Sequence, residues 1–78
     1  MDWHTEWTRS QQELSAASRN EYWWKTLPEE RRSILGRPEY RKQCRLARQR
    51  LKLADERCRA LIRVRREAEA SSETHAAP

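Results

Sequence analysis

The stretch Tyr40-Arg-Lys-Gln-Cys44-Arg-Leu-Ala47-Arg-Gln-Arg-Leu51-Lys-Leu-Ala54-Asp-Glu-Arg-Cys58-Arg-Ala-Leu61 decides the architecture of this chain. Tyr40, Cys44, Ala47, Leu51, Ala54, Cys58 and Leu61 are spaced alternately four and three apart, which is the heptad pattern of a helix with one apolar seam. The pattern fails at Arg65 and resumes weakly at Ala68. No Gly or Pro stands between Pro38 and Pro78, and Arg, Leu, Ala, Glu and Lys dominate, so the sequence predicts one long helix over about 38–70. Ala and Cys in the seam admit a second helix at close range but bury little apolar surface, at ~25 cal/mol per Å². These seven residues are the candidate oligomer surface. An antiparallel homodimer centred on Leu51 would bring Cys44 of one chain near Cys58 of the other. Leu46, Leu53 and Ala60 form a second stripe beyond Arg50 and Arg57, so the long helix needs two neighbours. The preceding helices supply one, and a second copy or a heterologous protein supplies the other.

Upstream, Trp3 and Trp7 at i,i+4 and the capping pattern Ser10-Gln11-Gln12-Glu13 ahead of Leu14 predict a first helix over about 5–25. Thr26-Leu27-Pro28-Glu29 repeats the S/T-x-x-E pattern with Pro in the first turn, and Gly36 follows Ile34-Leu35 as a stop, which gives a short second helix over 28–35. The segment 71–78 lacks bulky apolar side chains and is expected to be a flexible tail. The expected fold is all-α: a single domain over 1–70 with two shorter N-terminal helices packed on one long C-terminal helix through a coiled-coil-like seam.

Composition excludes several alternatives. The chain has 78 residues, one Gly, three Pro and no Phe, too little turn chemistry for a multi-stranded β fold. Seven Leu, two Ile and one Val make about 13% branched aliphatics, below the ~20% common in globular domains. Four Trp nevertheless argue for something to bury. Cys44 and Cys58 on one helix lie about 21 Å apart at ~1.5 Å per residue, which forbids an intramolecular disulfide. His4 and His75 stand far apart, and no C-x2-C or H-x3-H pair exists, so no metal or cofactor is expected. Without an apolar run near 18 residues or a leader pattern, a cytoplasmic location and no membrane partner are expected.

Charge is unevenly placed within a net +5. Residues 41–52 hold Arg41, Lys42, Arg45, Arg48, Arg50 and Lys52 without an acid, whereas residues 1–24 are net acidic. Arg45, Lys52, Arg59 and Arg66 recur every seven and form an edge along the helix. With Arg41 and Arg48, this basic stripe suits nucleic-acid phosphates or an acidic protein surface. Its plain alternative is a solvated face balanced by i,i+4 pairs such as Asp55–Arg59 and Arg65–Glu69. A DNA-reading helix-turn-helix is disfavoured, because the last helix is long and Arg32 occupies the place of the usual small residue.

Tyr22, Trp23 and Trp24 cannot all face one way on a helix, so at least one is expected at an interface. With Arg31 and Arg32 they form the candidate partner-binding cluster, being of the residue types that dominate binding hot spots. The competing expectation is that Trp23 or Trp24 packs on Leu27, Ile34 and Leu35. No catalytic motif is present, and Glu29-Glu30 is explained by the positive end of a helix dipole. The sequence therefore points to a non-enzymatic adaptor or inhibitor that binds a larger macromolecular machine, without a small-molecule substrate; a nucleic-acid-binding protein is the alternative. Small Arg-rich helical chains of this kind look like proteins encoded by phages and other mobile elements.

Overall fold

Asp2 opens the first helix by accepting the His4 amide on Oδ1 at 3.1 Å and the Thr5 hydroxyl on Oδ2 at 2.9 Å. A side-chain acceptor at this position satisfies amides that the first turn leaves without partners. In the computed structural model, which describes residues 2–76 and the side chains only up to 71, α1 spans Trp3–Lys25, α2 Glu29–Leu35 and α3 Arg37–Ala76. The all-α fold expected from the sequence is the one observed: α1 and α2 pack against the long α3.

α1 and α3 run antiparallel. The Trp3 indole N–H donates to the Leu61 carbonyl at 2.8 Å, Glu13 pairs with Arg57 at 2.9 Å, and the Tyr40 hydroxyl donates to the Trp24 carbonyl at 2.9 Å. The side chains buried between them are mostly small: Ser10 and Ala17 on α1 and Ala47, Ala54 and Cys58 on α3. Tyr40, Cys44, Leu51 and Leu61 are half-buried on the same seam. The seven seam residues are thus occupied by α1 of the same chain. In this fold the candidate oligomer surface faces α1 of the same chain, with Cys58 buried and Cys44 half-buried. The physical reason is that Ser10 and Ala17 give α1 an equally small face, so the nearest helix in the chain fits the seam.

The seam breaks at Arg65 because that residue has another task. Its guanidinium lies over the Trp3 ring at 4.6 Å, and Trp3 stacks on Trp7 at 5.3 Å with an interplanar angle of 10°. Beyond this level α3 continues for roughly another 15 Å at the usual rise. The expected tail from 71 is helical through Ala76, because nothing before Pro78 interrupts it; 77 and 78 lie outside the described residues.

The local start signals act differently from their expected roles. Ser10 sits buried inside α1 rather than at its start. Thr26 closes α1, its hydroxyl donating to the Tyr22 carbonyl at 2.8 Å, and α2 begins after Pro28 without a side-chain cap. Gly36 ends α2 as expected: at φ 85° and ψ 153° it occupies a conformation open essentially to Gly alone. Leu27, 2% exposed, anchors the turn, and its carbonyl accepts from Arg32 Nε at 2.6 Å.

Candidate functional site: two unlike flanks of a helical hairpin

A two-helix layer measuring 67 × 18 × 18 Å leaves two long flanks beside the seam, and helical register assigns side chains to each. One flank is basic. Lys25, Arg41, Arg45 and Arg48 surround a shallow groove of about 520 Å³ whose floor is Pro38, Tyr40 and Cys44. Tyr22 precedes Lys25 by three residues and so shares its side of α1; it is 69% exposed. Lys52 and Arg59 extend the same exposed edge along α3.

The charges on this edge are weakly offset. Lys25 pairs with Glu21 at 3.2 Å and Arg59 with Asp55 at 2.9 Å. Among the described residues, no carboxylate lies within salt-bridge distance of Arg41, Arg45, Arg48 or Lys52. Exposed pairs of this kind contribute about 0–1 kcal/mol, so their absence costs little stability and leaves the cations available.

The other flank carries most of the exposed apolar side chains, set among Glu13, Arg50 and Arg57. Glu13, Ala16, Arg50, Leu53 and Arg57 line a second groove beside the seam residues Ala17 and Ala54. Leu46 is seven residues before Leu53, and Trp23 seven after Ala16, which places both on this side. Trp23 is 49% exposed, Leu46 44%, Leu53 56% and Val64 55%.

The cluster Tyr22, Trp23, Trp24, Arg31, Arg32 is therefore divided. Tyr22 goes to the basic flank, Trp23 to the apolar flank, and half-buried Trp24 to the seam, where it meets Trp23 edge-on at 4.9 Å. Arg32 and Arg31 are both exposed, Arg32 lying over the Tyr40 ring at 5.2 Å. The packing of Trp23 or Trp24 on Ile34 is not formed, since Ile34 is 85% exposed.

Tyr40 and Cys58 in the seam are held protonated. The hydrogen bond with the Cys44 side chain, followed by desolvation, raises the Tyr40 hydroxyl above its ordinary range. Burial raises the Cys58 thiol, and Gln11 Nε2 lies 3.6 Å from its sulfur. Neither arrangement activates a nucleophile, because each stabilises the neutral form. Among the described residues, no three His, Cys, Asp or Glu cluster as a metal site requires. Nor is any helix among them long and apolar enough to cross a membrane.

The chain matches no family model, no curated protein and no solved structure.

Proposed function

We propose that the chain is a non-enzymatic interaction module, an adaptor or inhibitor that lays its basic flank on an acidic surface of a larger macromolecular machine. One observation carries this reading: Arg41, Arg45, Arg48 and Lys52 stand exposed, without ion-pair partners among the described residues, beside an exposed Tyr22. Arg and Tyr together are hot-spot residue types, and a tyrosine that spends its hydroxyl and ring on no internal contact suits a protein surface. Arg31 and Arg32 extend this surface onto α2, while half-buried Trp24 supports it from within. Capture from lysate of the source cells tests the proposal. A stoichiometric protein that survives nuclease and is lost on Tyr22→Ala and on Arg45→Glu with Lys52→Glu is expected; capture unchanged by both variants would overturn it.

The second reading is a nucleic-acid binder. It is favoured by the run of Arg41, Arg45, Arg48, Lys52 and Arg59 along about 27 Å of one straight helix, a span that can follow a phosphate backbone. Under it, binding disappears with nuclease, and log affinity falls steeply with log salt.

A further inference from the structure

The apolar flank belongs to neither reading, and its geometry specifies its own occupant. We infer that it is covered by a second copy of the chain, so that two hairpins close into an antiparallel four-helix bundle. The seam alone makes a thin core: apart from Leu27, its fully buried residues are Ser10, Ala17, Ala47, Ala54 and Cys58, and Trp23, Leu46, Leu53 and Val64 retain about half their surface each. Hairpins of this kind gain a closed core by pairing. The shared length of α1 and α3 is about 35 Å, which with a width near 18 Å offers some 600 Å² per copy, about 1,200 Å² in all, the lower end of specific interfaces.

Charge selects the arrangement. Glu6 lies within 4.0 Å of Arg9 and Glu13 within 2.9 Å of Arg57 of the same chain, while Arg50 on α3 has no ion-pair partner among the described residues. Stacking α3 on α3 would oppose arginines, whereas stacking α1 of one copy on α3 of the other sets the part-exposed Glu13 against the unpaired Arg50. A two-fold axis parallel to the helices does this and preserves height along the bundle. The pairs Gln11–Cys58 and Glu13–Arg57 fix which residues are level. Taken with the Trp3–Leu61 and Tyr40–Trp24 contacts, Ala16 of one copy comes level with residues 48–53 of the other, and Trp23 with residues 41–46. A large side chain then faces a small one at Ala16, as interdigitating helices require. The basic flank stays outside the dimer, so this inference does not rest on the function proposed above.

Sedimentation equilibrium of the full chain at micromolar concentration reads the outcome directly. The expected mass is twice that of the 9.5 kDa chain, with self-association weakened more than about tenfold by Leu53→Glu and unchanged by Arg45→Glu with Lys52→Glu. Ala16→Glu, an exposed position on the other helix, provides the same reading if Leu53→Glu fails to fold; circular dichroism confirms helicity in each. A helical monomer at all concentrations overturns the inference. So does a dimer indifferent to both flank variants, or one dissolved by the Arg45/Lys52 pair.

Discussion

Replacing Ala47 with leucine tests whether α1 truly occupies the heptad seam. Ala47 is 1% exposed between two helices whose facing residues are themselves small, so three added carbons have nowhere to go without separating the helices or twisting side chains off their rotamers. Overpacking of this kind costs about 1–3 kcal/mol. A chain of this size draws only about 3–5 kcal/mol from its core, so the change removes a large share of it. At roughly 6 °C per kcal/mol for a domain near 80 residues, the midpoint of thermal unfolding should fall by about 6–18 °C. Ala68 provides a matched control. It continues the same sequence register but stands exposed on α3 past the level of Trp3, so Ala68→Leu should shift the midpoint by no more than about 3 °C. Both are read by circular dichroism at 222 nm at one fixed chain concentration. If Ala47→Leu matches Ala68→Leu, or melts above the parent chain, the seam is not closed by α1 and the packing argument is wrong.

Gly36→Ala should destabilise by about 1–3 kcal/mol in a urea melt, although nothing lies within 4 Å of a Cβ built there, because the cost is conformational rather than steric crowding. Leu27→Ala should cost about 2–5 kcal/mol, a loss large enough to populate unfolded chain at room temperature, as urea titration would show. Asp2 gives a pH dependence of known sign. The Thr5 hydroxyl first, then the His4 amide, lower its pKa from 3.8, so the cap stabilises α1 above that value and is lost as pH falls through the lower folded value. Protection of the His4 amide, its exchange rate relative to an unstructured amide at the same pH, should fall in acid, and Asp2→Asn, which caps without titrating, should flatten the response.

The parts of this fold that were legible in sequence are those set by local chemistry. Gly36 was readable as a stop because only its backbone accepts the required conformation, and the long helix because nothing in it resists helix formation. Start signals misled where the same hydroxyl had two local uses: Thr26 bonds backward to Tyr22 rather than forward into α2. Ser10 fitted a capping pattern, yet Asp2 and the docking of Trp3 on Leu61 carry the helix past it. The seam itself was visible as a periodicity, but its occupant was not, because which helix covers it depends on contacts between residues more than forty apart, such as Gln11 and Cys58. For the same reason the aromatic cluster could be expected to divide, while the flank that each ring joins required α3 to be in place.

Cys58 gives the chain a built-in clock. Its sulfur lies near the open end of the α1–α3 contact, within a turn of Leu61, shielded from reagents and held as a thiol by burial. An alkylating agent needs the thiolate, so modification waits for α1 to swing clear. When reclosing outpaces the chemistry, the labelling rate divided by that of a free thiol equals the fraction of time the hairpin stands open. The half-buried Cys44, nearer the turn, times the other end of the same movement. Comparing the two rates tells whether the hairpin unzips from one end or parts along its whole length.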